Sequence, residues 1–172
     1  ASKLLDSIGD NLLRMSPEGA TSLGLDTGAR AALRSQLGDR SPAGQHKLAE
    51  LLKQDLARAE AFDTSGLPFA TRTSVEVVKS AYKTALEGFA LPYGDVAVGG
   101  WRNTPYVVIQ NVGAYLDTPK LLDTDHPVEN ASDAEAYLAR LAEYPKQLDG
   151  ELERMRAARG QGMVPPNFLI DK

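Results

Sequence analysis

The sequence predicts a mainly α protein: a helical bundle that carries one small β-ribbon. Three observations predict it. Apolar residues recur at three- and four-residue steps along most of the 172 residues. Ser-Pro or Ser-x-x-Glu start signals stand before several of these runs. The helical period lapses in one stretch, about 91–115, which is rich in Gly and β-branched residues.

In order, Leu5, Ile8, Leu12 and Met15 make one stripe and predict a helix from Ser2 to Met15. Ser16-Pro17-Glu18 starts a short second helix to Leu23, because Ser caps free N–H groups and Pro lacks a donor where none is needed. A third runs from Ala29 to Leu37 and closes at Gly38. Ser41-Pro42 repeats the start signal. Leu48, Leu51, Leu52, Leu56, Ala59 and Phe62 then stripe one long helix, and Val75, Val78, Tyr82, Ala85, Leu86 and Phe89 a second. The two predict an antiparallel hairpin over about 41–90.

Gly99-Gly100 between Val96/Val98 and the run Tyr106-Val107-Val108-Ile109 predicts the ribbon, at about 93–110. Thr118-Pro119 starts a short helix through Leu122. Ser132-Asp133-Ala134-Glu135 reads as a capping box opening a long helix over about 132–159, kinked at Pro145. Its stripe is Ala134, Tyr137, Leu138, Leu141, Leu148, Leu152 and Met155. Residues 160–172 read as an extended tail, whose Val164, Phe168, Leu169 and Ile170 call for a surface to pack on.

Composition removes several functions. There is no Cys, hence no disulfide framework, thiolate zinc site or Cys nucleophile. A net charge of −4 with scattered basic residues argues against nucleic acid. No apolar run is long enough for a membrane span. The two imidazoles, His46 and His126, lack metal-ligand spacing, so no zinc site is expected within this chain. His46 reads as a solvated helix residue. Pro127 keeps His126 out of helical dihedrals, which makes it a cap or loop residue.

Ser80-x-x-Lys83 matches a nucleophile and base one turn apart, but its companion motifs are missing and no Gly-x-Ser-x-Gly elbow exists. Asn130-Ala131-Ser132 fits a glycosylation sequon, yet Ser132 is better used as a cap. Carboxylate pairs such as Glu151/Glu153 read as a solvated helix face. The most unusual stretch is Trp101-Arg102-Asn103-Thr104-Pro105-Tyr106, which leads through Val107–Gln110 into Asn111-Val112-Gly113-Ala114-Tyr115. Its aromatic and amide side chains suit a peptide laid along a sheet edge. The plainer alternative is that Trp101 and the tyrosines anchor the ribbon on the helices.

Four ordered blocks resemble a bacterial family, the domain of unknown function 885. They are Leu13-Arg14-Met15-Ser16-Pro17-Glu18-Gly19 onward to Leu25; Tyr106 to Tyr115; His126-Pro127 with Ala134 to Leu141; and Gly162-Met163-Val164-Pro165-Pro166. The resemblance implies a large, mostly helical, gluzincin-like zinc metallopeptidase with a His-Glu-x-x-His helix in its later part. This chain resembles only the first third or so and lacks that motif, so no catalytic or metal residue carries over, and zinc is expected only in the parent protein.

What the resemblance implies for these residues is the wall or lid of a deep peptide-binding cleft. Tyr106, Gln110, Asn111 and Tyr115 are the candidate substrate contacts, with His126 behind them. Val164–Ile170 would pack on the remainder of the same protein. An export leader is implied too, which suits the Ala1 start and a periplasmic or secreted location. The competing reading is a non-enzymatic helical module, complete as it stands, that binds a protein partner through the ribbon and the tail.

Overall fold

Backbone N–H and C=O groups must be paired when buried, and this chain pairs most of them inside helices. The structure, a computed structural model, describes residues 1–100 and 103–170. The elements are α1 (Ser2–Met15), α2 (Pro17–Ser22), a 3-10 segment (Gly28–Ser35), α3 (Pro42–Glu60), α4 (Phe69–Phe89), α5 (Ala114–Lys120) running directly into a π-helical turn (Leu121–Asp125), α6 (Ala131–Gly160) and α7 (Asn167–Ile170). The fold is mainly α.

Helices α1, α3 and α4 enclose an oily core. Ile8, Leu52, Ala59, Val75, Tyr82 and Ala85 form its buried centre, with Leu48, Leu56, Leu86 and Phe89 packed around it. These are the stripe positions of three amphipathic helices, and burying them is what holds α3 and α4 together as neighbours.

Helix α6 is built differently. Its buried residues are Asp133, Ala136, Arg140, Gln147, Gly150, Glu151 and Ala158. Its leucines face outward, with Leu138 at 62% and Leu141 at 47% exposure. Gly150 lets the helix touch the chain entering α3, because a Cβ there would lie 2.7–2.9 Å from the Arg40–Ser41 backbone. The helix passes through Pro145 without interruption.

The ribbon expected at about 93–110 does not form among the described residues. Two isolated antiparallel bridges stand there, Asp95 with Thr104 and Ile109 with Val112. Side chains take the positions a ladder would use. Asn103 Oδ1 accepts from the Ala97 N–H at 2.7 Å, and Thr104 Oγ1 accepts from the Tyr106 N–H at 3.1 Å. Pro105 has no N–H to offer. Trp101 and Arg102 lie outside the described residues, as do Asp171, Lys172 and the Ile170 side chain.

Two helix starts also differ. The helix expected from Thr118-Pro119 begins at Ala114, whose N–H donates to both carboxylate oxygens of Glu151 at 2.9 Å. Helix α6 is capped by Asn130 rather than Ser132: Asn130 Oδ1 accepts from the Asp133 N–H at 3.1 Å, while Asp133 Oδ2 accepts from the Glu129 N–H at 3.1 Å. This is a reciprocal cap two residues earlier than the Ser-x-x-Glu pattern suggested. Within the expected tail, residues 163–166 carry no regular secondary structure and Asn167–Ile170 make one helical turn.

Candidate functional site

The irregular chain after Thr104 meets the C-terminal half of α6 to form an apolar groove of about 580 Å³. Val107 is buried at its base, and Leu152, Met155, Met163 and Val164 complete its apolar lining. Arg156 and Arg159 stand at its rim. Gly113, with φ at 142°, shapes the wall: a Cβ there would meet the Tyr115 ring and Val108 at 3.0–3.2 Å, so only Gly lets the aromatic ring fold back. The Tyr115 hydroxyl then donates to the Ile109 carbonyl at 3.0 Å.

Of the residues expected to contact substrate, Tyr106, Gln110 and Tyr115 line this groove. Gln110 also reaches the tail, its Nε2 donating to the Leu169 carbonyl at 3.4 Å. Asn111 is exposed just beyond and is not a lining residue. His126 lies elsewhere. It is 6% exposed and packs edge-on to Tyr137, with ring centroids 5.6 Å apart. Phe168, expected to seek a packing surface, is 69% exposed.

The His126 ring belongs to a network that the sequence reading did not identify. Arg140, fully buried, donates from Nε to the Gln36 carbonyl at 2.9 Å and from Nη1 to His126 Nδ1 at 3.0 Å. Its Nη2 donates to Thr21 Oγ1 at 2.7 Å and to the Leu33 carbonyl at 3.1 Å. Because Arg140 can only donate, Nδ1 is the acceptor and the ring hydrogen sits on Nε2, which donates to the Asp133 carbonyl at 3.1 Å.

The network closes on itself. Thr21 donates to Asp26 at 2.8 Å, Arg34 bridges Asp26 and Asp133, and the Asp133 carbonyl takes the His126 hydrogen. Two arginines are thereby balanced by two aspartates, which is what lets charge sit inside the fold. Burial alone would push the Asp26 carboxyl up, but the Arg34 and Thr21 hydrogen bonds overcome it and hold it below its usual range. Arg34 holds Asp133 low in the same way. Burial pushes the Arg140 guanidinium below its ordinary range, with Glu18 and Asp26 pulling it back.

Further along α6, Gln147 accepts from Thr118 at 2.7 Å and donates to Glu18 at 2.7 Å, and Glu151 accepts from Arg40 at 2.8 Å. Arg154 donates to Asp95 at 2.7 Å and pins the first bridge. No buried side-chain polar atom among the described residues lacks a partner. The sequence did hold a signal for this. Asp133, Arg140, Gln147 and Arg154 recur every seven residues, a polar row about a third of a turn from the leucines.

No group of three or more His, Asp or Glu among the described residues is placed to hold a metal, so these residues do not fit a zinc site. Lys83 pairs with Glu60 at 2.8 Å, and that contact raises its ammonium above the ordinary range, the reverse of what a base for Ser80 needs. No helix among the described residues is long and apolar enough to cross a membrane.

Residues 17–172 match the family described as a bacterial protein of unknown function, DUF885. The chain belongs to that family. No curated protein matches. Among solved structures, a Colwellia psychrerythraea protein provisionally described as a lipoprotein is similar, with a TM-score of 0.82 at 18% identity. The alignment covers 98% of this chain and 29% of that one, so the likeness establishes a shared fold, and this DUF885 chain spans under a third of its relative's length.

Proposed function

We propose that this DUF885 chain forms one wall of a peptide-binding cleft in a larger zinc-dependent peptidase. The observation that supports the reading is the groove: Tyr106, Gln110 and Tyr115 converge on one apolar trough, with two arginines at its rim. Its task is positioning, holding an extended peptide by apolar side chains and amide contacts while bond cleavage takes place elsewhere. Zinc and its ligands belong to the part of the protein outside these residues, and no chemical step is assigned to this chain. An exported location fits the provisional description of the Colwellia psychrerythraea relative.

The test is a peptide-library digest by the full-length, zinc-loaded protein and by its Gln110→Ala and Tyr115→Ala variants. The expected result is a raised KM at nearly unchanged kcat, because uniform binding is what a wall supplies. Cleavage indifferent to both substitutions removes the groove from the reaction. No cleavage at all by the zinc-loaded protein returns the chain to a non-enzymatic interaction module.

A further inference from the structure

The groove is one-sided in charge. Arg156 and Arg159 line it, and no Asp or Glu does. The chain as a whole carries a net charge of −4, so a trough with two cations and no acid runs against the average. Most arginines nearby are already neutralised: Arg154, on the same helix, is held by Asp95 at 2.7 Å, and Arg40 by Glu151 at 2.8 Å. Arg156 and Arg159 are exposed and have no carboxylate partner among the described residues. They stand three positions apart on α6, about 4.5 Å along its axis, which makes them neighbours on the helix surface. Like charges so placed repel, and an anion set between them relieves the repulsion.

We propose that Arg156 and Arg159 are specificity residues of the groove and select a peptide in which an acidic residue stands next to an apolar one. The inference rests on the peptide-cleft reading above and names the substrate class of that same site. An extended peptide turns successive side chains to opposite faces. Laid in this trough, one side chain points to the floor of Val107, Leu152 and Met155, and the next to the rim, where the two guanidinium groups stand. An apolar side chain suits the floor because it leaves water there. A carboxylate suits the rim, since the planar guanidinium fork binds it with two parallel N–H bonds. The rim position selects a side-chain carboxylate over the peptide's own C-terminal carboxylate, which lies on the backbone axis within the trough. A lysine in its place meets two like charges and is rejected.

The experiment is fluorescence anisotropy with the full-length protein, a chelator being present to hold off zinc-dependent cleavage. The labelled peptides carry a central Leu-Glu, Leu-Gln or Leu-Lys pair in an otherwise uncharged sequence. The Glu peptide is expected to bind about tenfold tighter than the Gln peptide at low salt, the scale of one charge-assisted pair, with the margin shrinking as salt is added. Amidating the peptide C-terminus should leave Kd unchanged. The double variant Arg156→Gln, Arg159→Gln should bind the Glu and Gln peptides alike, and its unaltered Kd for the Gln peptide checks that the groove is intact. Charge reversal, Arg156→Glu with Arg159→Glu, should favour the Lys peptide. No binding, equal Kd for the Glu and Gln peptides, or a Glu preference that survives the double variant or vanishes on amidation overturns the proposal. The readout is binding, so the two readings separate: preference without cleavage by the zinc-loaded protein keeps the specificity and removes the peptidase, and cleavage without preference does the reverse.

Discussion

The two halves of this DUF885 chain are stabilised in opposite ways. In the α1–α3–α4 unit, the residues that stripe each helix are the ones that disappear from water: Ile8, Leu52 and Val75 are at most 3% exposed. In the α6 unit Leu138 and Leu141 of α6 itself stay outside, and a ring of hydrogen bonds through Arg140, Thr21, Asp26, Arg34, Asp133 and His126 is buried beside Leu33, Leu121 and Leu122. The oily core tolerates small shifts because dispersion and burial are non-directional. The polar core does not, since a missing partner leaves a desolvated group behind. The comparison teaches that α6 is positioned by specific bonds on one side, which leaves its apolar side available for another purpose.

The sharpest way to break that comparison is Arg140→Met. It leaves His126 Nδ1 and the carbonyls of Leu33 and Gln36 without their donor, and a loss of about 4 kcal/mol is expected in urea unfolding. A loss below about 1 kcal/mol would mean that the network contributes little and that the two halves are alike after all. Arg140→Lys should rescue only part of it, because an ammonium lacks the planar fork that reaches several acceptors at once.

A pair of leucine truncations sharpens the contrast. Leu52, fully buried, should cost about 3 kcal/mol as Leu52→Ala, whereas Leu138→Ala in the same 172 residues should change stability by no more than about 0.5 kcal/mol. Equal costs would show that α6 buries its leucines in solution.

Acid gives the smallest and most graded test. Asp26 and Asp133 are held below the ordinary carboxylate value of 3.8 when folded, so their stabilisation is complete above that value and is lost as pH falls through the lower folded values. Urea midpoints should therefore be flat near neutrality and drop below about pH 4. Asp26→Asn should lower the neutral plateau and make the acid drop shallower; an unaltered drop would place the acid-sensitive groups elsewhere.

How much of this was legible in the sequence differs between the same two halves. The hairpin helices were legible because stripe and core coincide there: Leu52, Ala59, Val75, Tyr82 and Ala85 were named by spacing and are buried. The existence of α6 was legible too, but not its orientation, because a leucine stripe and a polar row lie on the same helix and periodicity cannot say which faces inward. Asn130 was passed over as the cap since Ser132 satisfied the local pattern, whereas Arg34, distant in sequence, draws Asp133 into place. The stretch from Tyr106 to Tyr115 stood out by composition, and its Tyr106, Gln110 and Tyr115 line the groove. The strand reading around them failed because Thr104 and Asn103 side chains capture the backbone groups a ribbon requires.

By itself the sequence determined that the chain is helical and where most of its helices run, since these follow from local spacing and capping chemistry. Only the tertiary structure decided which face of α6 is interior, because that choice depends on Arg34, Arg40, Glu18 and Thr118 arriving from elsewhere to meet its polar row. Once those partners arrive, the polar side can be buried at little loss, and the leucines are left facing outward.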